Sequence, residues 1–292
     1  MKDKAIVMCV EGEIYRASFD RIFLPGIRAF ATRHGYELFV VAGETIREAF
    51  HNIPARAPLA SIPSSWLKLF AIQSVQAKGF RRVLFLDADI LISPVAEDYF
   101  QFLPDETVSA ILETNIPESN IRLWRAACGL DPAGASSMVN AGVLYLAGDA
   151  GQELIDGIIR HIDAQMDRID FRNRVFEQPL LSDFLLRHPA FKRMRYTYNT
   201  LLYADRGFRM PELQAIRSKV NHLCATFPAL SRFRRYGFTC LYHFPGRYAR
   251  GNRKLMRDLL AEGRFIHFAG MNDEQCIAAG FAQASSPQDS TA

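Results

Sequence analysis

Apolar runs of strand length alternate with stretches of helical spacing through the first half of the chain. Ala5–Val10 (AIVMCV) has the continuous apolar character of a buried parallel strand. Ser18 is placed to cap a helix running to about His34, and Gly35 suits its C-terminal stop. Glu37–Val41 forms a second strand, and a loop punctuated by Pro54, Pro58 and Pro63 follows. Ser64 or Ser65 then opens a helix that carries Trp66, Leu69, Phe70 and Val75 and ends at Gly79. Arg82–Leu86 (RVLFL) is a third strand, closed by Asp87-Ala88-Asp89. The β-α-β-α-β order predicts a parallel sheet with right-handed crossovers.

The second half is less regular. Val108–Leu112 and Ala141–Leu146 read as strands. Gly151–Met166 is an amphipathic helix with Leu154, Ile155, Ile158, Ile159 and Ile162 on one stripe. Glu177–Arg187 reads as a helix, Phe238–Phe244 as a strand, and Gly251–Leu260 returns to helical spacing. From about Ala282 the residues are small and polar, predicting a disordered tail over 282–292. No internal repeat is evident.

Composition narrows the class. At 292 residues and 33.0 kDa, with 49% hydrophobic and 23% charged residues, the chain is an ordinary globular protein. No apolar run approaches the roughly 18 residues of a membrane span. The apolar run at the N-terminus meets Glu11 after six residues, shorter than the roughly 7 to 15 of a signal peptide core, so none is expected. Cys9, Cys128, Cys224, Cys240 and Cys276 are odd in number and scattered, which fits reduced thiols in a cytoplasmic protein better than disulfides or zinc.

The net charge of +4 is unevenly spread. Residues 187–260 hold 16 Lys and Arg against 3 Asp and Glu, and 231–257 hold no acid at all. Aromatic residues such as Phe233, Tyr236 and Tyr242 interleave with these cations, favouring a folded face that attracts anions over a merely solvated charge run.

The strongest chemical signal is Asp87-Ala88-Asp89 at the end of the third strand. In extended backbone, residues i and i+2 face the same way, so both carboxylates can share one ligand. They also stand at the carboxyl end of a parallel strand, where open α/β sheets bind ligands. Adjacent carboxylates repel unless a cation lies between them, and oxygen ligands suit Mg²⁺ or Mn²⁺.

In this setting the chain resembles the GT-A-fold glycosyltransferases that use nucleotide-sugars, nearest to the retaining family 8, the glycogenin and lipopolysaccharide galactosyltransferase type. The matching elements fall in chain order: Glu11 and Tyr15 after the first strand; Lys68 on the helix ahead of the motif; Asp87-Ala88-Asp89; Asn140-Ala141-Gly142-Val143 against the family's N-[SA]-G-V; Glu177-Gln178-Pro179 against D-Q-D; Tyr198-Asn199; and His243-Phe244-Pro245-Gly246 against H-x-x-G. The second carboxylate of D-Q-D is replaced by Pro179, and the family's K-P-W ending gives way to Arg247, Arg250 and Lys254.

The resemblance implies an α/β GT-A fold with a mostly parallel central sheet flanked by helices and a basic C-terminal extension. It implies one domain over 1–270, with a nucleotide-binding half (1–112) and an acceptor and metal-completing half (113–270). It implies a donor site of Val10, Glu11, Tyr15, Lys68, Asp87, Ala88, Asp89, Asn140, Gly246, Arg247 and Lys254, with Asp87, Asp89 and His243 holding the metal. His267, in a similar H-F-x-G setting, is the alternative ligand, less favoured because acids rather than cations follow it. Gln178 and Glu177 are the candidate catalytic residues, Gln178 at the reacting face of the sugar and Glu177 beside it or acting as a nucleophile; helix-start chemistry is the competing explanation for both.

The implied activity moves a hexosyl or pentosyl group from a UDP-sugar, with Mn²⁺ (or Mg²⁺), to a glycan or lipid-linked acceptor with retention. The mixed carboxylate and imidazole set leans towards Mn²⁺. The partners expected are donor and acceptor, no nucleic acid, and a peripheral contact with anionic membrane through the basic block. A non-catalytic nucleotide-sugar binder is the alternative; a D-x-D phosphatase is disfavoured because its motif requires Thr or Val where Leu91 stands. Trp66 and Trp124 read as core, although Trp124 falls in a segment, 116–135, that could be an acceptor-side loop.

Overall fold

The computed structural model describes residues 3–113, 116–134, 137–173, 175–195, 200–201 and 265–267. Strand β1 (Lys4–Val10) lies between β2 (Glu37–Ala42) and β3 (Arg82–Leu86), parallel to both. Beyond β3 come β6 (Met138–Ala147), β5 (Val108–Glu113) and β7 (Phe191–Arg193), giving the order β2-β1-β3-β6-β5-β7. Strand β6 runs against both neighbours while β5 and β7 are parallel, so the central sheet is mostly parallel with one reversed strand. A second, small sheet pairs β4 (Ile90–Ile92) with β9 (Phe265–His267), which in turn pairs with β8 (Thr200–Leu201).

Helices cover both faces, as the continuous apolar strands require. Ile6, Met8, Leu84 and Leu86 face α2 (Leu24–His34) and the turns before it, packing with Ile22, Ile27 and Phe30. Ala5, Val7, Val83 and Phe85 face the other way, towards α4 (Ser64–Gln76), α6 (Gly148–Gln165) and α7 (Gln178–Arg187), where Trp66, Leu69, Ile72, Ile155, Ile158 and Leu181 complete a second core. The isoleucine stripe of α6 is buried as its spacing predicts.

The reversed strand carries an irregularity that matters for the site. Ser109 pairs with Tyr145, yet Ile111 pairs with Asn140, so β6 holds extra residues over this stretch. Val139 and Ala141 share the α4 side with Leu144 and Leu146, so the alternation of faces inverts across the bulge. An added residue turns every later side chain over, because the period of a strand is two.

Three expectations need correction. Ser18 does not open a helix: α1 (Glu13–Ser18) begins earlier, after Gly12 at φ 84°, and passes through a π turn (Phe19–Phe23) into α2. The segment after β2 is not simply a loop, since it folds into α3 (Gly43–His51) and a 3₁₀ helix (Pro54–Ser61) in which Pro54 starts a turn that needs no donor there. Residues 118–127 form α5 (Glu118–Ala127), so half-buried Trp124 stands on a helix. Other expectations hold: Gly35 ends α2 in the left-handed conformation at φ 72°, where L side chains are strained. The expected strand at 238–244, the helix at 251–260 and the tail lie outside the described residues.

Trp66 is fully buried, stacks edge-on against Phe171 and donates its indole N–H to the Phe171 carbonyl at 3.1 Å. Trp66→Ala is expected to lower unfolding free energy by about 3–5 kcal/mol through cavity formation. Urea titration at constant slope checks this; a loss under about 1 kcal/mol would mean that the neighbourhood collapses to fill the space.

Candidate functional site

Strand β3 delivers its motif to the carboxyl edge of the sheet. The Asp87 N–H still bonds the Gly142 carbonyl of β6 at 2.8 Å, and the Ile90 N–H then bonds the Asp87 carbonyl at 3.2 Å. Residues 87–90 therefore form a tight turn into β4, not the extended segment from which a shared carboxylate face was expected. Asp87, Ala88 and Asp89 are all half-buried.

Lys68 projects from α4 beneath this turn. It is 5% exposed, and its ammonium lies 2.8 Å from Asp87 Oδ1 and 2.9 Å from Glu177 Oε1, with the Ala141 carbonyl at 3.4 Å and the Phe85 ring at 5.2 Å. Burial alone would pull the ammonium pKa down; the two carboxylates more than offset this and raise it. Lys68 is held charged. Glu177 is 4% exposed, and burial pushes its carboxyl above the usual range against the pull of Lys68. Two acids sharing one cation account for both directions.

Glu177 occupies the position before α7 without capping it; its side chain goes to Lys68 instead. The preceding residue, Phe176, has φ 52° and is 39% exposed, an uncommon state for a bulky side chain that costs on the order of 1–3 kcal/mol. Buried Asn173 holds it there. The Asn173 Nδ2 donates to the Phe176 and Asp170 carbonyls, each at 2.9 Å, and its Oδ1 accepts from the Val175 N–H at 3.0 Å. Gln178, one residue on, donates from Nε2 to Glu113 Oε1 at 3.3 Å, and Asn140 Nδ2 reaches the same oxygen at 3.0 Å. The Asn140 Oδ1 accepts from the Gly142 N–H at 2.9 Å.

The structure thus brings Lys68, Asp87, Glu177, Asn140 and Gln178 to one edge, with Ala88 and Asp89 in the same turn. Val10 is buried at the end of β1. Glu11 is enclosed by other partners: Arg47 meets both its oxygens, with Nη2 to Oε2 at 2.7 Å, and Ser64 donates to it as well. Those bonds, Arg47's first, hold its carboxyl below the ordinary range. Gly43 must be glycine for this, because a Cβ there would lie 2.7 Å from Glu11 Cβ. Tyr15 is 75% exposed on α1. His243, Gly246, Arg247 and Lys254, with Tyr198, Asn199 and the basic block, lie outside the described residues. Cys9, beneath the site, is a free thiol that burial and then Glu11 push up to about 12, so it stays protonated.

The expectations of the sequence omitted Glu113, Arg47 and Asn173. Glu113 carries the signal that marked Asp87, an acid closing an apolar strand at the same sheet edge. Among the described residues no group of three or more His, Cys, Asp and Glu converges as a metal site. Asp87 and Asp89 are hard oxygen donors of the kind Mg²⁺ or Mn²⁺ takes, and one oxygen of Asp87 is held by Lys68 at 2.8 Å. Among the described residues no helix is long and apolar enough to cross a membrane.

No family model matches the chain, and no curated protein matches it. Solved structures do resemble it. Apo mouse xyloside xylosyltransferase 1 aligns at 16% identity over 68% of this chain and 88% of its own, with TM-score 0.45. A glycosyltransferase involved in glycosylation of the major capsid of PBCV-1 aligns at 12% identity over 96% of this chain and 98% of its own, with TM-score 0.46. The glycosyltransferase GlyE of Streptococcus pneumoniae TIGR4 aligns at 15% identity over 96% of this chain and 60% of its own, with TM-score 0.44. With each TM-score below 0.5, the functional reading rests on the site itself.

Lys68→Met leaves two carboxylates without their shared cation and is expected to cost about 3–5 kcal/mol in urea unfolding. Arg47→Met should cost about 1.5–3 kcal/mol at neutral pH. Because the folded Glu11 carboxyl titrates below its ordinary 4.5, its contribution is present above that pH and is lost as pH falls through the lower folded value. The stability gap between wild type and Arg47→Met is therefore full at pH 7 and narrows in acid; a gap that widened in acid would refute the clamp.

Proposed function

We propose that this chain is a metal-dependent glycosyltransferase of GT-A type, moving a hexosyl or pentosyl group from a UDP-sugar to a glycan or lipid-linked acceptor, with retention. The observation that carries the reading is the Asp87-Ala88-Asp89 turn at the carboxyl edge of β3, anchored by buried Lys68 to Glu177 and lying beside the amides of Asn140 and Gln178.

Asp87 and Asp89 would hold Mn²⁺ or Mg²⁺, with His243 as third protein ligand. An ion held there would supply Lewis acidity for a departing diphosphate. Lys68, 2.8 Å from Asp87 Oδ1, fixes the orientation of that carboxylate. Glu177, buried and ion-paired, serves as an anchor in this reading, which leaves the sugar side to Gln178 and Asn140. Retention then proceeds without a carboxylate nucleophile at 177. Arg247 and Lys254 would neutralise the diphosphate from the basic segment, with charge-assisted bonds about twice as strong as neutral ones, and Gly246 would offer it a backbone N–H. The same segment would let a cytoplasmic protein rest on anionic lipid beside a lipid-linked acceptor.

Incubation with Mn²⁺ and a panel of UDP-sugars should release UDP and free sugar slowly from one of them, and faster with an acceptor. Thermal stabilisation by UDP-sugar without turnover would favour a non-catalytic binder. Asp89→Asn should keep the fold by circular dichroism yet weaken Mn²⁺-dependent UDP binding by more than the 10–100-fold typical of groups that merely support a ligand. Wild-type UDP affinity in that variant would remove the metal assignment.

A further inference from the structure

One carboxylate orients two amides at the site. Glu113 closes β5 opposite Met138, which places it diagonal to Asn140 across the β5–β6 ladder, within reach of a long side chain. Its Oε1 receives Asn140 Nδ2 at 3.0 Å and Gln178 Nε2 at 3.3 Å. A carboxylate offers acceptors only, so an amide bonded to it must present its NH₂ group. Each amide is thereby fixed in one of its two flip states by chemistry. For Asn140, the oxygen left on the other side is taken by the Gly142 N–H at 2.9 Å. For Gln178, the Oε1 accepts no bond from the described residues.

The β6 bulge makes this meeting available. The shift of pairing between Ser109 and Ile111 brings Asn140, not a residue further along β6, opposite Ile111 and hence next to Glu113. Asn140 and Gln178 come from different elements and meet on one oxygen atom.

We propose that Glu113 is a positioning residue that locks Gln178 with its carbonyl oxygen, and not its NH₂, towards the ligand. A carbonyl oxygen recognises hydroxyl donors and carbon centres gaining positive charge, both of which a sugar at its anomeric carbon provides. The choice of ligand rests on the glycosyl-transfer reading; the amide lock does not. Glu113 thus brings a carboxylate from β5 to Gln178, which Pro179 follows on α7.

Glu113→Gln tests this, since a glutamine can donate or accept and frees Gln178 to flip. With the wild-type melting profile retained, kcat for UDP-sugar hydrolysis should fall on the order of 100-fold, as for a misplaced reacting group, with KM little changed. Glu113→Asp, which keeps an acceptor-only partner, should recover part of that loss. An unchanged kcat in Glu113→Gln, or a loss confined to KM, would overturn the proposal. A second readout needs no turnover. The side-chain amide NMR signals of Asn140 and Gln178, assigned by their loss in Asn140→Ala and Gln178→Ala, should both shift in Glu113→Gln and stay near their wild-type positions in Glu113→Asp. If neither moves in Glu113→Gln, the lock is absent. If they move in a protein that turns over no UDP-sugar, the lock stands and the glycosyl-transfer reading fails.

Discussion

The site is organised around one buried cation. Lys68 draws together α4, the end of β3, the start of α7 and the β6 bulge, contacting Asp87, Glu177 and the Ala141 carbonyl within a few ångströms. Desolvating an ammonium costs several kcal/mol, and a single carboxylate rarely repays that cost. Two carboxylates and a carbonyl do, which is why Lys68 remains charged at 5% exposure. The excess negative charge that remains lies at the half-buried end, on the Asp87-Ala88-Asp89 turn. An arrangement that satisfies its cation and leaves anionic character at the sheet edge is what the proposed divalent-ion role of this turn requires.

Around this anchor, local backbone departs from regularity where chemistry is expected. The β6 bulge inverts the strand's alternation, so that Val139 and Ala141 face the α4 side with Leu144 and Leu146, while Val143 and Tyr145 face α2. Phe176 is held at positive φ by the Asn173 side chain, and that conformation sets Glu177 down on Lys68 instead of at the helix cap. Strained residues persist only where their surroundings over-determine them. Here Asn173, itself buried, makes three hydrogen bonds to backbone groups of the loop ahead of α7.

Glu11 shows how similar residues divide between support and chemistry. It follows β1 as Asp87 follows β3, and the resemblance assigned it to the donor. Its partners are Arg47 and Ser64, and the close approach of Gly43 shuts the remaining side. In the described residues it ties α3 and α4 to the sheet, so Lys68 emerges from a helix whose N-terminus is fixed.

Hydrophobic patterning alone determined the parallel β1-β2-β3 unit, the buried stripe of α6, the stop at Gly35 and the placing of Asp87-Ala88-Asp89 at a sheet edge. Each depends on periodicity or on a residue's own conformational limits, which short windows record. The helix over 43–51 leaves little trace in the pattern because its large apolar residues are only Ile46 and Phe50, and the prolines at 54, 58 and 63 just beyond it signal a loop. Only the tertiary structure decided that Lys68 bridges Asp87 and Glu177, that Glu11 is occupied by Arg47, and that Glu113 faces two amides. Those outcomes depend on contacts across 19 to 109 residues of chain, between groups whose distance is set by packing and by a strand bulge that no local pattern announces.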